Sequence, residues 1–255
     1  MEVGQTFIFE VVERLYIHGI NAISEALESN HSIEKIWVSK DYHHWHLSSL
    51  LQRARKSQIP IQYVPKQRLF KLSTHSKTKI VALGSPIQYV SFEKLLAQLL
   101  HERLDFVFLM LDGVTNIRNF GAIVRTAVAT SISAIIISNH HSVGITSDVI
   151  STSSGGIFKI PIVRVNHLKD VLYQLIDRKI PIIGLDEKSP HSIFETSFKK
   201  PLAIVAGDEH KGISKGVKQL VTHLVHLPMA KQMSSLNVSI ACGITLYHIN
   251  QHPLG

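Results

Sequence analysis

Pro228-Met229-Ala230-Lys231-Gln232-Met233-Ser234-Ser235-Leu236-Asn237-Val238-Ser239-Ile240-Ala241 is the stretch on which the fold of this chain turns. It runs from the end of an apolar strand through a polar loop into a helix that opens on Ser-Ser-Leu-Asn. Two serines and an asparagine offer more capping groups than one helix start can use, so part of the set is left to face a ligand. Two other segments share this construction of strand end, polar turn and helix. One is 111–127, Leu-Asp-Gly-Val-Thr-Asn-Ile-Arg-Asn-Phe-Gly-Ala-Ile-Val-Arg-Thr-Ala; the other is 204–214, Ile-Val-Ala-Gly-Asp-Glu-His-Lys-Gly-Ile-Ser.

Working outward, the chain after Leu104 alternates apolar strands with helices. Strands are predicted at 105–111, 134–138, 160–165, 180–185, 202–206 and 224–227, and helices at 121–130, 147–153, 168–178, 214–220 and 236–251. Continuous Val/Ile/Leu strands with helices between them predict a mostly parallel sheet covered on both faces. Ligands of such sheets gather beyond the carboxyl ends of the strands, and the three segments begin at such ends, at Asp112, Gly207 and Pro228. Upstream the elements are shorter: helices at 19–28, 47–56 and 66–72, strands at 35–38, 61–64 and 80–83. The reading is α/β throughout, with a small domain over 1–90, a helical linker over 91–104 that opens on Ser91 as N-cap, and a larger domain over 105–255.

The 255 residues are 45% hydrophobic, ample for a packed core. No apolar run is long enough to cross a bilayer, and Glu2, Glu10 and Glu13 stand where a signal peptide would be basic and then apolar, so a soluble, cytoplasmic protein is expected. The one cysteine, Cys242, lies among Ile240, Ala241 and Ile244 and reads as core. The formal charge is +8. Its distribution points to a polyanionic partner: between Asp41 and Glu93 there is no acid, while Arg53, Arg55, Lys56, Lys66, Arg68, Lys71, Lys77 and Lys79 all fall there. Apolar residues at structural spacing in the same stretch make it a folded basic surface rather than a disordered tail. Nucleic acid is the natural ligand of such a surface.

Several chemistries lack their residues. No Gly-x-Gly-x-x-Gly follows a strand and no Gly-Lys-Ser/Thr occurs, which removes the phosphate cradles of dinucleotide and P-loop enzymes. No Gly-x-Ser-x-Gly elbow supports Ser/His/Asp hydrolysis. His43, His44 and His46, and the pair His140-His141, have no Cys or acidic partner at ligand spacing and read as polar loops, so no metal is expected.

Within the first segment Asn119 reads as an N-cap, and Gly121 permits close approach. Arg125 stands among Ile123, Val124, Ala127 and Val128, so its cation either snorkels to the surface or points into the strand-end crevice. In the second, Glu209 follows a strand end, where a carboxylate caps a helix or serves a site.

Together the three segments resemble the signature motifs of the SpoU (TrmH-like) RNA ribose methyltransferases, most closely the RlmB-like enzymes that methylate a guanosine ribose of large-subunit ribosomal RNA. The resemblance covers most of the chain. His18-Gly19-Ile20-Asn21-Ala22 and Lys79-Ile80-Val81-Ala82 look like landmarks of the family's N-terminal RNA-binding domain, a ribosomal-protein-like sandwich. It implies a SPOUT-type catalytic domain with a deep trefoil knot, a homodimer, and S-adenosyl-L-methionine as methyl donor. It further implies that Arg125, Asn119, Glu209, Ser235 and Asn237 are catalytic or substrate-positioning, and that Gly207, Leu227, Met229 and Leu236 hold the donor. Arg53, Arg55, Lys56 and Arg118 are the expected RNA contacts. Transfer-RNA ribose methylation, an antibiotic-resistance rRNA methyltransferase and a non-catalytic RNA-binding protein are the alternatives. The chain departs from the family pattern at Ile117, a common proline, at His210, a frequent glycine, and at Lys231.

Overall fold

The computed structural model describes residues 15–42, 45–72, 78–230, 232 and 235–251. His43, His44, Lys77, Lys231 and Ser234 therefore lie outside the described residues. The amino-terminal elements are β1 (Leu15–His18), α1 (Ile20–Glu28), β2 (Ile33–Ser39), α2 (Leu47–Lys56), β3 (Ile61–Val64), α3 (Lys66–Leu72) and β4 (Ile80–Gly84). They build a four-stranded sheet in the order β1-β4-β2-β3, antiparallel except for the β2/β3 pair. The periodicity of α2 shows why it sits where it does. Leu47, Leu50, Leu51 and Ala54 form a buried stripe, which leaves Arg53, Arg55 and Lys56 in the last turn facing solvent. β1 has no counterpart among the predicted strands. Its four residues are too few to show an alternation, and pairing with β4 defines it.

Helix α4 (Phe92–His101) starts at Ser91, whose hydroxyl accepts the Lys94 amide at 3.3 Å. Its Phe92 and Leu96 pack with Phe106 and Phe108, so this helix covers one face of the larger sheet. That sheet is formed by β5 (Val107–Asp112), β6 (Ala134–Ser138), β7 (Ile162–Val165), β8 (Ile182–Leu185), β9 (Leu202–Gly207) and β10 (His223–Val225). All pairs are parallel and the order is β10-β8-β9-β5-β6-β7. The intervening helices are α5 (Ile117–Ala129), α6 (Ser147–Thr152), α7 (Leu168–Asp177), α8 (Lys215–Lys218) and α9 (Val238–Gln251).

Alternate residues of β5 enter opposite cores: Val107, Leu109 and Leu111 in one, Phe108 and Met110 in the other, joined there by Phe106 just before the strand. A strand buried on both faces reads as an unbroken apolar run for this reason. The first core continues into the small domain, joining Ile17, Ala22 and Ile23 to Val149, Ile150 and Ile157. Cys242 is fully buried there, and burial pushes its thiol up to about 12, as a core cysteine requires. The predicted helix at 214–220 shrinks to the four residues of α8, and the last helix opens at Val238 instead of 236.

Candidate active site

The order of the sheet assembles the site. β9 inserts between β8 and β5, and its register sets Asp112 beside Gly207, so the first two motifs leave the sheet side by side. The third follows β10 at the far edge and returns to α9, which packs on α5 and β9. The ends of β8, β9 and β10 border a cavity of about 230 Å³, with the first motif beside it rather than in its wall. Leu185 and Asp186 come from β8, Ala206 to Ile213 from the end of β9, Val225 to Leu227 from β10, and Met229, Ser235, Leu236 and Val238 from the returning segment.

The walls are mixed. Leu227, Leu236 and Ile213 give apolar surface, and the strand ends give backbone polar groups, a lining suited to a flat heteroaromatic ring with a polar tail. At Gly207 the chain folds back on itself: a Cβ there would lie 2.1 Å from the Gly212 carbonyl carbon and 2.2 Å from the Ile213 nitrogen. Only glycine admits that approach. The turn is closed by Asp208, whose Oδ1 accepts the amides of His210 and Lys211, both at 2.9 Å. The Lys211 amide, then the His210 amide, hold this carboxyl below the usual carboxylate range. His210 takes an ordinary backbone conformation, because the left-handed residue of the turn is Gly212, at φ 65°. Asp112 ties the loop to the sheet by accepting the Ser214 amide at 2.7 Å.

Beside the cavity lies a second feature, a cluster of three side chains. Glu209 Oε1 accepts from Asn119 Nδ2 and from Asn237 Nδ2, each at 2.6 Å, and Asn237 Nδ2 also reaches Asn119 Oδ1 at 3.1 Å. Asn237 Oδ1 meanwhile accepts the Ser239 amide at 2.9 Å, so this one side chain caps α9 and joins the cluster. That double duty fixes which end of the amide is oxygen. Asn119 corrects its own reading. Asn116 is the N-cap of α5, accepting the amides of Arg118 and Asn119, and this leaves the Asn119 side chain for Glu209. Ile117 then falls on the first helical position, the one place in a helix that proline favours.

Gly207, Leu227, Met229 and Leu236 line one cavity together with Glu209 and Ser235. Asn119 and Asn237 adjoin it through Glu209. Arg125 stands apart, about 9 Å along α5 from Asn119 by helical rise. It is exposed, shares a helix face with Arg118 seven residues earlier, and has no hydrogen bond or ion pair among the described residues. Arg53, Arg55 and Lys56 belong to the small domain, where Arg53 is paired with Glu28. Two cavity groups were not read from the sequence. Asp186 and Lys218 form an ion pair at its rim. Burial pushes the Asp186 carboxyl up, but the Lys218 ammonium and the Lys188 amide outweigh it and the net direction is down. The signal available was an acid at the end of an apolar strand, with nothing to mark its partner.

The comparisons agree with this geometry. Residues 107–247 match the model of the SpoU rRNA Methylase family, and residues 16–90 match that for RNA 2'-O ribose methyltransferase substrate binding. The putative TrmH family tRNA/rRNA methyltransferase YacO of Bacillus subtilis is 32% identical over 94% of this chain and 97% of its own. Among solved structures, the SpoU methyltransferase AviRb from Streptomyces viridochromogenes, in complex with AdoMet, superposes with a TM-score of 0.79 at 23% identity. It covers 94% of this chain and 90% of AviRb. The AdoMet-bound rRNA methyltransferase from Sinorhizobium meliloti gives 0.75 at 20% identity, over 95% and 88%. With its motifs gathered at the ends of β5, β9 and β10, the chain belongs to the SpoU (TrmH-like) family of S-adenosylmethionine-dependent RNA 2′-O-ribose methyltransferases.

Proposed function

We propose that this enzyme methylates the ribose 2′-hydroxyl of one guanosine in large-subunit ribosomal RNA. The observation that carries the reading is the junction of the Asn119–Glu209–Asn237 cluster with the β8/β9/β10 cavity, which sets a polar, hydrogen-bonding group against a pocket at the strand ends. Gly207, Leu227, Met229 and Leu236 would hold the donor, whose sulfonium supplies an activated methyl group. A ribose hydroxyl is a weak nucleophile near neutral pH, so the protein's task is to align it and relieve it of a proton. Glu209 is oriented for that task by two amide donors. Arg125, exposed and without a hydrogen bond or ion pair among the described residues, grips the adjacent phosphate and stabilises the developing alkoxide; a guanidinium does not give up its own proton at these pH values. Ser235, at the rim, positions the substrate, and Arg118 on the Arg125 face adds a phosphate contact.

The RNA is drawn in by Arg53, Arg55 and Lys56 on α2 together with α3. We further propose a homodimer: α9 exposes Ile240, Ile244 and Tyr247 along one stripe, at 54%, 38% and 49%, an apolar face that a second copy would cover. Its place of action is the cytoplasm, where ribosomal RNA is found. No helix among the described residues is long and apolar enough to cross a membrane.

The test pairs two measurements. Calorimetry on chelator-treated protein reads S-adenosylmethionine binding, with one site per chain expected. Mapping of 2′-O-methylation on ribosomal and transfer RNA, from cells with and without the gene, reads the target. A missing methyl on transfer RNA alone replaces the ribosomal reading with the transfer-RNA one. Binding of RNA without any lost methyl makes the chain a non-catalytic binder.

A further inference from the structure

The donor cavity holds, among the described residues, one acid that is recessed and not yet fully engaged. Four carboxylates line its wall: Asp186, Glu187, Asp208 and Glu209. Asp208 is occupied by the amides of His210 and Lys211, Glu209 by the side-chain amides of Asn119 and Asn237, and Glu187 faces solvent. The Asp186 side chain is only 14% exposed. Its Oδ1 accepts the Lys188 amide at 3.0 Å, and its Oδ2 meets the Lys218 ammonium, which reaches across from α8. An ionised carboxylate can accept about four hydrogen bonds, so each oxygen keeps a lone pair for a further donor.

Strand order fixes where this carboxyl stands. The register of β8 on β9 sets Gly184 beside Val205, and continued two residues it brings Asp186 to the level of Gly207. The Asp186 amide donates to the Val225 carbonyl at 2.9 Å, and the Asp186 carbonyl accepts the Ser189 amide at 3.0 Å, so the strand end is pinned both to β10 and to its own turn. Neighbouring strands lie about 4.8 Å apart. On one flank, therefore, Asp186 adjoins the Gly207 turn that leads to Glu209; on the other it adjoins Val225 of β10 and Leu227 just past it. From β10 to β9 the cavity offers an apolar surface, a recessed carboxylate and then the polar cluster. S-adenosylmethionine carries its groups in the same order: a heteroaromatic ring, a ribose with two adjacent hydroxyls, and the sulfonium that bears the methyl.

We infer that Asp186 is a specificity-determining residue for the methyl donor: its carboxylate accepts the adjacent hydroxyls of the donor ribose, and Lys218 holds it in place as a positioning residue. The inference rests on the donor reading of this cavity given above. A vicinal diol suits a carboxylate because two O–H donors stand side by side before two oxygens, and strand-end acids of parallel sheets take the ribose hydroxyls of nucleotide cofactors in this way. Such a group confers choice as well as affinity. A ligand that lacks the hydroxyl leaves a recessed acceptor without its partner, and that loss exceeds the loss of an apolar contact.

The test is calorimetry on the full-length protein with S-adenosylhomocysteine, the stable product, beside its 2′-deoxy analogue. Wild type should bind the deoxy compound about thirtyfold more weakly. Asp186→Asn keeps the shape and loses the charge. It should weaken S-adenosylhomocysteine by a similar factor and shrink the deoxy penalty to about threefold, the two changes being non-additive because they remove one interaction. Lys218→Met should retain most of the penalty, since the carboxylate remains. In turnover assays the Asp186→Asn loss should appear in the KM for S-adenosylmethionine rather than in kcat, with RNA affinity untouched. Should Asp186→Asn fail to fold, as judged by its melting transition, Asp186→Glu, which displaces the carboxyl by one methylene, takes its place with the same expectation. A full deoxy penalty in the folded Asp186 variant, or none in the wild type, overturns the assignment while the donor cavity stands. A penalty abolished by Lys218→Met gives the diol to the lysine and overturns it equally. Wild-type protein that binds no S-adenosylhomocysteine overturns the donor reading as well.

Discussion

The cavity proposed for the methyl donor and the basic surface of the small domain proposed for RNA work by opposite physics. The cavity is enclosed by three strand ends and by backbone that turns tightly at Gly207, and its rim charges Asp186 and Lys218 neutralise each other. Shape and desolvation govern it. The basic surface of the small domain carries exposed Arg55 and Lys56 on α2, and Lys66, Arg68 and Lys71 on α3, which packs against the opposite face of the sheet; Glu28 draws off Arg53. Solvated charge governs it, and each cation counts roughly alike. One region should therefore be ruined by a methyl group and indifferent to salt, the other tolerant of single changes and steeply salt-dependent. In the proposed function the Asn119–Glu209–Asn237 cluster beside the cavity is the meeting point of the two ligands, and Arg125 on the exposed face of α5 holds the RNA there.

The largest expected effect lies at that meeting point. Arg125→Ala should lower turnover on ribosomal RNA by about a thousandfold or more, as removal of a transition-state contact does, with donor affinity unchanged. Arg125→Lys should not restore it, because an ammonium cannot reproduce the planar grip on phosphate. Steady-state kinetics beside donor titration checks both, and near-normal turnover in Arg125→Ala would remove this residue from the mechanism. Next, Gly207→Ala should cost about a hundredfold in donor affinity by calorimetry, since its Cβ must displace the Gly212 backbone, while RNA affinity holds. A normal donor affinity there would mean that shape does not control the cavity.

Asn237 separates structure from chemistry. Asn237→Ala loses the cap and both amide donations, so about 1 kcal/mol of stability should go together with turnover. Asn237→Asp keeps the cap oxygen but turns a second carboxylate on Glu209; turnover should fall, and the stability lost to like-charge repulsion should ease in acid, unlike that lost with the cap. Thermal melts and initial rates distinguish the two.

On the basic side, Arg53→Ala/Arg55→Ala/Lys56→Ala should reduce the slope of log affinity against log salt by about two rather than three, because Arg53 is tied to Glu28. An unchanged slope moves the RNA surface elsewhere. The smallest effect concerns pH. The Asp208 carboxyl is lowered in the folded protein, so its contribution is present above the unfolded carboxylate value of about 3.9 and is lost as pH falls through the lower folded value. The melting difference between wild type and Asp208→Ala should accordingly persist from pH 7 to 5 and shrink progressively as pH falls below about 4. A difference that persists in stronger acid would mean that backbone geometry, and not the charge, closes the turn.

Much of this was legible in the chain itself. The unbroken apolar runs of β5, β6 and β9 could only be strands buried on both faces, and that alone required a parallel sheet with ligands at its carboxyl ends. The spacing of Leu47, Leu50, Leu51 and Ala54 settled which side of α2 faces water, and the acid-free stretch announced a polyanion. Local spacing could not settle three things. It could not choose between Asn116 and Asn119 as the cap of α5, because both types cap equally well and the decision came from Glu209, 90 residues away. It could not find the Asp186–Lys218 pair, or β1, whose partners come from distant parts of the sequence. Nor could it show that α6 packs on β1 of the small domain and on α5, a junction of segments far apart in the sequence. Periodicity and composition report how each segment meets water; which distant side chain answers a hydrogen bond is decided by strand order and packing, and those exist only in the folded chain.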